Sequence, residues 1–136
     1  MKKIIPIFFL LFSLAGCKKA IEKYKENAVI TAMTNGQWQI TKFEWNGSDI
    51  TKDFNGYKFQ YYKNYTVDAV RNGVLEKTGT WDGDPGNMSI MANFPGAAHP
   101  LILINGNWHI DNNSWTYVVA SQTSGGETKK LRLEKL

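Results

Sequence analysis

Hydrophobic residues change their spacing twice along this chain, and each of the resulting segments predicts a different element. From Ile4 to Leu14 the residues are almost all apolar, a run of about eleven. A run of that length is too short to cross a bilayer as a stable helix, which takes roughly twenty apolar residues. With Lys2 and Lys3 before it and Ala15-Gly16 after it, the run has the layout of a secretory signal peptide over 1–16. The next segment has helical period: Ile21, Tyr24, Ala28 and Ala32 fall at i, i+3, i+7 and i+11. Asn35-Gly36 follows as a stop signal, so a helix is predicted over about 19–33, packed on the next domain or across one end of it.

After Gly36 the spacing becomes that of strands. Candidate strands are 37–45, 56–62, 65–70, 74–81, 87–92, 101–104, 107–110, 115–120 and 128–135, rich in β-branched and aromatic residues. Asn-Gly, Asp-Gly, Pro-Gly and Gly-Gly pairs between them are turn signals. The pattern predicts an all-β fold, an antiparallel sandwich or barrel with a short helix before it. The strand count hangs on Asn105-Gly106. A two-residue hairpin there gives nine strands, and a bulge within one long strand gives eight. Eight is preferred, because Gly106-x-Trp108 then repeats Gly36-x-Trp38. A third copy, Gly79-Thr80-Trp81, lies between them. All three are read as packing devices, glycine permitting a bend and tryptophan filling the space beside it.

Alternation within GYKFQYY places Tyr57, Phe59 and Tyr61 on one face, expected to point inward. Tyr62 faces the other way, exposed or under the helix. From residue 35 on there are five Trp, five Tyr and four Phe. Those rings can fill a small barrel or line a pocket in it, and the sequence leaves both open.

Charge narrows the function classes. The chain is +4 overall, but Lys2 and Lys3 belong to the signal and residues 18–26 hold four lysines and two glutamates. From residue 27 on, ten basic residues meet ten acidic ones, which leaves no footprint for nucleic acid. Catalysis has little to stand on. His99 and His109 lie ten apart, and His109 is expected on an exposed strand face. Asp82-Gly83-Asp84 lacks the further ligands of a calcium loop and reads as a turn. No hydrolase, zinc or phosphate-loop motif is present, so neither enzyme, metal nor cofactor is expected. The stretch 82–100, with Met88, Met91 and Phe94, is apolar for a loop and points to something functional at one barrel end. The alternative is a buried strand over 87–92 with only 94–100 as loop.

Cys17 is the one cysteine, and a lone cysteine in an exported chain makes no internal disulfide. Its setting, Leu14-Ala15-Gly16-Cys17, resembles the lipobox of bacterial lipoproteins. That resemblance implies lipidation of Cys17, cleavage before it and a membrane anchor of more than one acyl chain. The Lys18-Lys19 start of the mature chain then implies the outer membrane and its periplasmic face, with lysines near anionic headgroups or on a solvated helix face. Gly36-Gln37-Trp38, opening a meander after a short helix, resembles the first strand of lipocalins, and more closely the small lipocalin-like lipoproteins of Gram-negative bacteria. It implies an up-and-down barrel of about eight strands over 35–136, a lipidated cysteine with a helical linker over 17–34, and Gly36 and Trp38 as the plug of the closed end. The domain is shorter than an ordinary lipocalin, so short strands or a partly open barrel are expected. The function implied is binding of a small hydrophobic molecule in the envelope, with Ile40, Tyr57, Phe59 and Tyr61 lining the site. The alternative is a filled-core module that engages an envelope protein.

Overall fold

The computed structural model describes residues 23–136. The signal segment, Cys17, Lys18-Lys19 and Ile21 lie outside the described residues, as does the start of the predicted helix. From residue 23 the helix, α1, runs to residue 34. Its first half is exposed, and its second half turns Val29, Ile30 and Met33 onto the barrel.

The strands are β1 (Trp38–Trp45), β2 (Ser48–Asp49), β3 (Tyr57–Tyr61), β4 (Thr66–Arg71), β5 (Val74–Asp84), β6 (Ser89–Asn93), β7 (Gly106–Asn113), β8 (Tyr117–Ser124) and β9 (Glu127–Lys135). Setting aside the two-residue β2, which only extends the turn after β1, eight strands form an antiparallel meander closed by pairing of β1 with β9. The barrel is therefore closed rather than partly open. Its closure is uneven: β1 matches β9 from Trp38↔Lys135 to Trp45↔Lys129, but meets β3 only at Trp38↔Phe59.

Turn chemistry explains the meander. Asn46-Gly47, Asn72-Gly73 and Gly125-Gly126 all have positive φ at both central residues, the primed turn whose twist matches that of the strands it joins. Coiling comes from single-residue bulges, where register shifts at Thr41 in β1, Glu76 in β5 and Asp111 in β7. None is a glycine, contrary to the expectation that the Gly-x-Trp copies mark the bends. Gly36 and Gly106 sit at the entries to β1 and β7 with φ of +90 and +116. Gly79 lies inside β5, where a Cβ would run into the backbone carbonyl of Asn93 and the ring of Phe94.

Eight barrel strands are present, though for a different reason than the bulge at Asn105-Gly106. Leu101–Ile104 is a short 3-10 turn, not half of a long strand, so Asn105-Gly106 is neither hairpin nor bulge. A short apolar run has no period that separates strand from buried turn. Here Leu101 and Ile104, three apart, fall on the same side of the 3-10 turn and are buried, while Ile102 is exposed.

Inward positions alternate as period two requires. Tyr57, Phe59 and Tyr61 from β3, Val67 and Ala69 from β4, and Leu131 and Leu133 from β9 are all buried. Trp38, Trp81 and Trp108 are at most 2% exposed, and each gives its indole N–H to a backbone carbonyl. Trp38 donates to Met33 at 2.9 Å, Trp81 to Tyr62 at 3.0 Å and Trp108 to Ile104 at 2.8 Å. A buried tryptophan needs that partner to escape the desolvation cost of its N–H.

Candidate functional site

Both barrel ends are stoppered. At the first end α1 lies across the start of β1. Trp38 is tied to α1 through Met33, and Lys135 of β9 gives its ammonium to the Ala32 carbonyl at 3.1 Å while lying 5.0 Å from the centre of the Trp38 ring. Gly36 and Trp38 thus stand at the helix-covered end, and Ile40 follows one inward step along β1.

The opposite end is closed by two segments. One is the 3-10 turn Thr51–Phe54, whose Phe54 ring stacks on Phe43 at 4.7 Å. The other is the stretch 94–104, which drives Phe94, Ala97, Leu101, Leu103 and Ile104 into the core. Asn105 clasps the base of that stretch, accepting from the Phe94 N–H at 2.6 Å and donating to the Phe94 carbonyl at 3.2 Å. His99 joins the two segments through Asp53, at 2.9 Å. The apolar character of 82–100 thus divides: β6 is a strand over Ser89–Asn93, and the residues after it form a stopper.

Little space is left inside. The interior void is about 20 Å³, between Tyr61 and the inner faces of β6, β7, β8 and β9. Two residues that carry a polar side-chain group line it: Trp108, whose indole is already bonded to Ile104, and Tyr61. Burial raises the pKa of Tyr61 well above the ordinary phenol value. Tyr57 differs: its hydroxyl donates to the Glu76 carboxylate at 2.7 Å, and burial together with that carboxylate pushes its pKa up to about 12. The bulge at Glu76 aims that carboxylate. Phe59 stacks on Tyr57 and contacts Phe94, so of the four predicted lining residues only Tyr61 borders the void. Tyr62 is exposed and bonds Asp68 at 2.9 Å.

A larger recess lies outside, on the outer wall of β5 to β8, with a volume of about 580 Å³. Asp82, Asn107, His109, Ser121, Gln122 and Thr123 are among its lining. Nothing in the sequence announces it, because outward polar residues on four strands leave no motif in the chain order. Much of its polarity is turned on itself: Gln122 donates to the carbonyls of Asn105 and Asn107, both at 3.2 Å. Ser121 and His109 both bond Asp111, at 3.1 and 3.0 Å. Desolvation works to raise the pKa of Asp111, but the bonds from His109 and Ser121 outweigh it and hold it low. These are the residue types of a hydrolytic triad in the wrong order. The aspartate, rather than the imidazole, receives the serine hydroxyl, so the arrangement differs from a Ser-His-Asp triad. Asp84 caps the turn at Pro85–Asn87 by accepting from the Asn87 backbone, and no cluster of three or more metal-ligating side chains occurs among the described residues.

No protein-family profile matches the chain, and no curated protein matches it in sequence. Solved structures do resemble it. A DUF4847 family protein from Bacteroides vulgatus aligns with a TM-score of 0.56 at 12% identity, over 78% of this chain and 96% of that one. Japanin from Rhipicephalus appendiculatus, a structure with bound cholesterol, aligns with a TM-score of 0.55 at 9% identity, over 77% of each chain. At such identities the likeness is one of fold, and the fold is lipocalin-like.

Proposed function

We propose that this chain is a lipoprotein of the bacterial cell envelope, anchored through Cys17 at the outer membrane on its periplasmic face, and that it acts by binding rather than catalysis. The geometry best supports the filled-core reading, a module that engages an envelope protein through its outer surface. The observation that carries it is size. Small-molecule sites commonly enclose about 300–1,000 Å³, and the barrel interior offers about 20 Å³. That is little more than one water molecule needs. Supporting the binding role more generally is the outer recess, whose Ser121–Asp111–His109 order suits recognition better than nucleophilic attack.

The second reading, a small hydrophobic ligand inside the barrel, has its own support. The fold is shared with a cholesterol-bound protein, and the void is lined by apolar residues together with Tyr61 and Trp108. It requires the 94–104 stopper to swing out of the mouth and take Phe94 and Leu101 with it. Native mass spectrometry of the protein extracted from its own membranes in mild detergent separates the two. A stoichiometric protein partner and no retained small molecule is the expected result. A small apolar molecule retained at one per chain would replace the first reading with the second.

A further inference from the structure

The two ends of the barrel differ in what they expose. At the end away from α1 the strands turn on Asn46-Gly47, Asn72-Gly73 and Gly125-Gly126, with only Val74, Leu75 and Ile102 as large exposed apolar residues among the described residues. At the α1 end every turn carries one. Tyr62 and Tyr65 stand in the β3–β4 turn, Met88 in the β5–β6 turn and Trp115 in the β7–β8 turn, with Tyr24 on α1 and Leu136 at the end of β9. Tyr24 and Trp115 are 72% and 59% exposed, and every tyrosine and tryptophan among the exposed large hydrophobics sits at this end.

We infer that the α1 end is a membrane-docking surface, laid against the phospholipid leaflet that holds the anchor. This rests on the lipoprotein reading proposed above. Trp and Tyr, with an apolar body and one polar tip, suit the zone between acyl chains and headgroups. The side of the molecule is set by the chain: Lys23 follows Cys17 by six residues. Even fully extended they reach about 20 Å, so the helix-covered end stays beside the bilayer. Lys23 and Lys25 on the exposed start of α1 and Lys63 in the β3–β4 turn stand among the aromatic residues, placed for phosphate headgroups. Glu26, Asp82 and Asp84 are acidic groups of this end, with Asp68 bonded to the Tyr62 hydroxyl and Glu134 beside Lys135, and Asp82 also lines the side recess. A protein partner on this end would have to share it with the lipid surface, which leaves the side wall for it.

The test uses the full lipidated chain, with intact mass measured first, in vesicles of phosphatidylethanolamine and phosphatidylglycerol carrying brominated acyl chains. Bromine near the interface should quench Trp115, removing up to one indole's share of the emission from a chain with five. Trp115→Phe should abolish that loss. Adding Ile102→Trp to the Trp115→Phe chain puts an indole at the far end, where no quenching is expected. An acylated protein whose Trp115 is not quenched overturns the docking surface and leaves the anchor standing. Equally strong quenching of the indole introduced by Ile102→Trp has the same consequence. An intact mass without acyl chains overturns the anchor itself, and the docking surface with it.

Discussion

Replacing Tyr57 and Tyr61 together by leucine separates a filled barrel from a hollow one. Both rings are at most 4% exposed. Tyr57 stacks on Phe59 with centroids 6.0 Å apart and bonds Glu76, and Tyr61 meets Trp81 edge-on at 5.4 Å. Losing ring volume from a packed site costs about 1–2 kcal/mol per tyrosine when leucine refills part of the space. Each aromatic pair is worth about 0.5–1.5 kcal/mol more, and the Tyr57 hydroxyl bond about 1 kcal/mol. The double variant should lose roughly 4–8 kcal/mol, less if the two sites couple through Phe59. For a barrel of this size each kcal/mol moves the melting temperature by about 4–8 °C, so a fall of at least about 15 °C is expected by circular dichroism. In a barrel whose tyrosines line an open pocket, the same change would alter a bound molecule and barely move the melt. A melting temperature within about 5 °C of wild type would refute the filled-core reasoning.

Three further outcomes follow from the same contacts. Trp38→Ala removes a fully buried ring and strands the Met33 carbonyl, so it should cost about 3–5 kcal/mol in urea unfolding; a loss under about 1 kcal/mol would mean that α1 does not depend on it. Tyr61→Phe deletes the hydroxyl of a buried ring whose pKa burial raises, and should cost little at pH 7. Because the folded pKa of Tyr61 is raised, its contribution is intact below about pH 10 and is lost as pH rises through the folded value. The Phe variant should accordingly unfold less readily in alkali, and an unchanged alkaline midpoint would contradict the assignment. Cys17→Ala should leave uncleaved or soluble protein; a variant that still takes acyl label and partitions into detergent would remove the lipobox reading.

Much of the barrel was legible because its information is local. Period-two alternation in Tyr57–Tyr61 and the Asn72-Gly73 turn require only neighbouring residues to interpret. A strand reading of Leu101–Ile104 fails because four apolar residues satisfy a strand and a buried 3-10 turn equally. The deciding contact there, the clasp of Asn105 on Phe94, spans eleven residues. The bulges at Thr41, Glu76 and Asp111 left no trace for a similar reason, since a bulge is a mismatch between two strands and belongs to neither sequence alone. The outer recess draws on four strands at once and was invisible to any reading along the chain.

Whether the barrel is hollow is a question of summed volume, and the sizes facing inward bear on it. Trp38, Trp81 and Trp108 share the interior with Ala69, Ala92 and Ala120. Large and small residues interdigitated in this way fill a narrow barrel to interior density without strain. The same tryptophans fix the structure at its margins: each spends its N–H on a carbonyl of α1, of the β3–β4 turn or of the 3-10 turn before β7. Emptying the barrel for a ligand of sterol size would therefore move rings that also hold down the segments around them. Opening costs grow with every such shared contact, whereas a partner on the outer wall disturbs none of them. That asymmetry is the physical reason to look for the proposed binding activity on the surface, where the β5–β8 wall stays free if the α1 end lies against lipid as inferred.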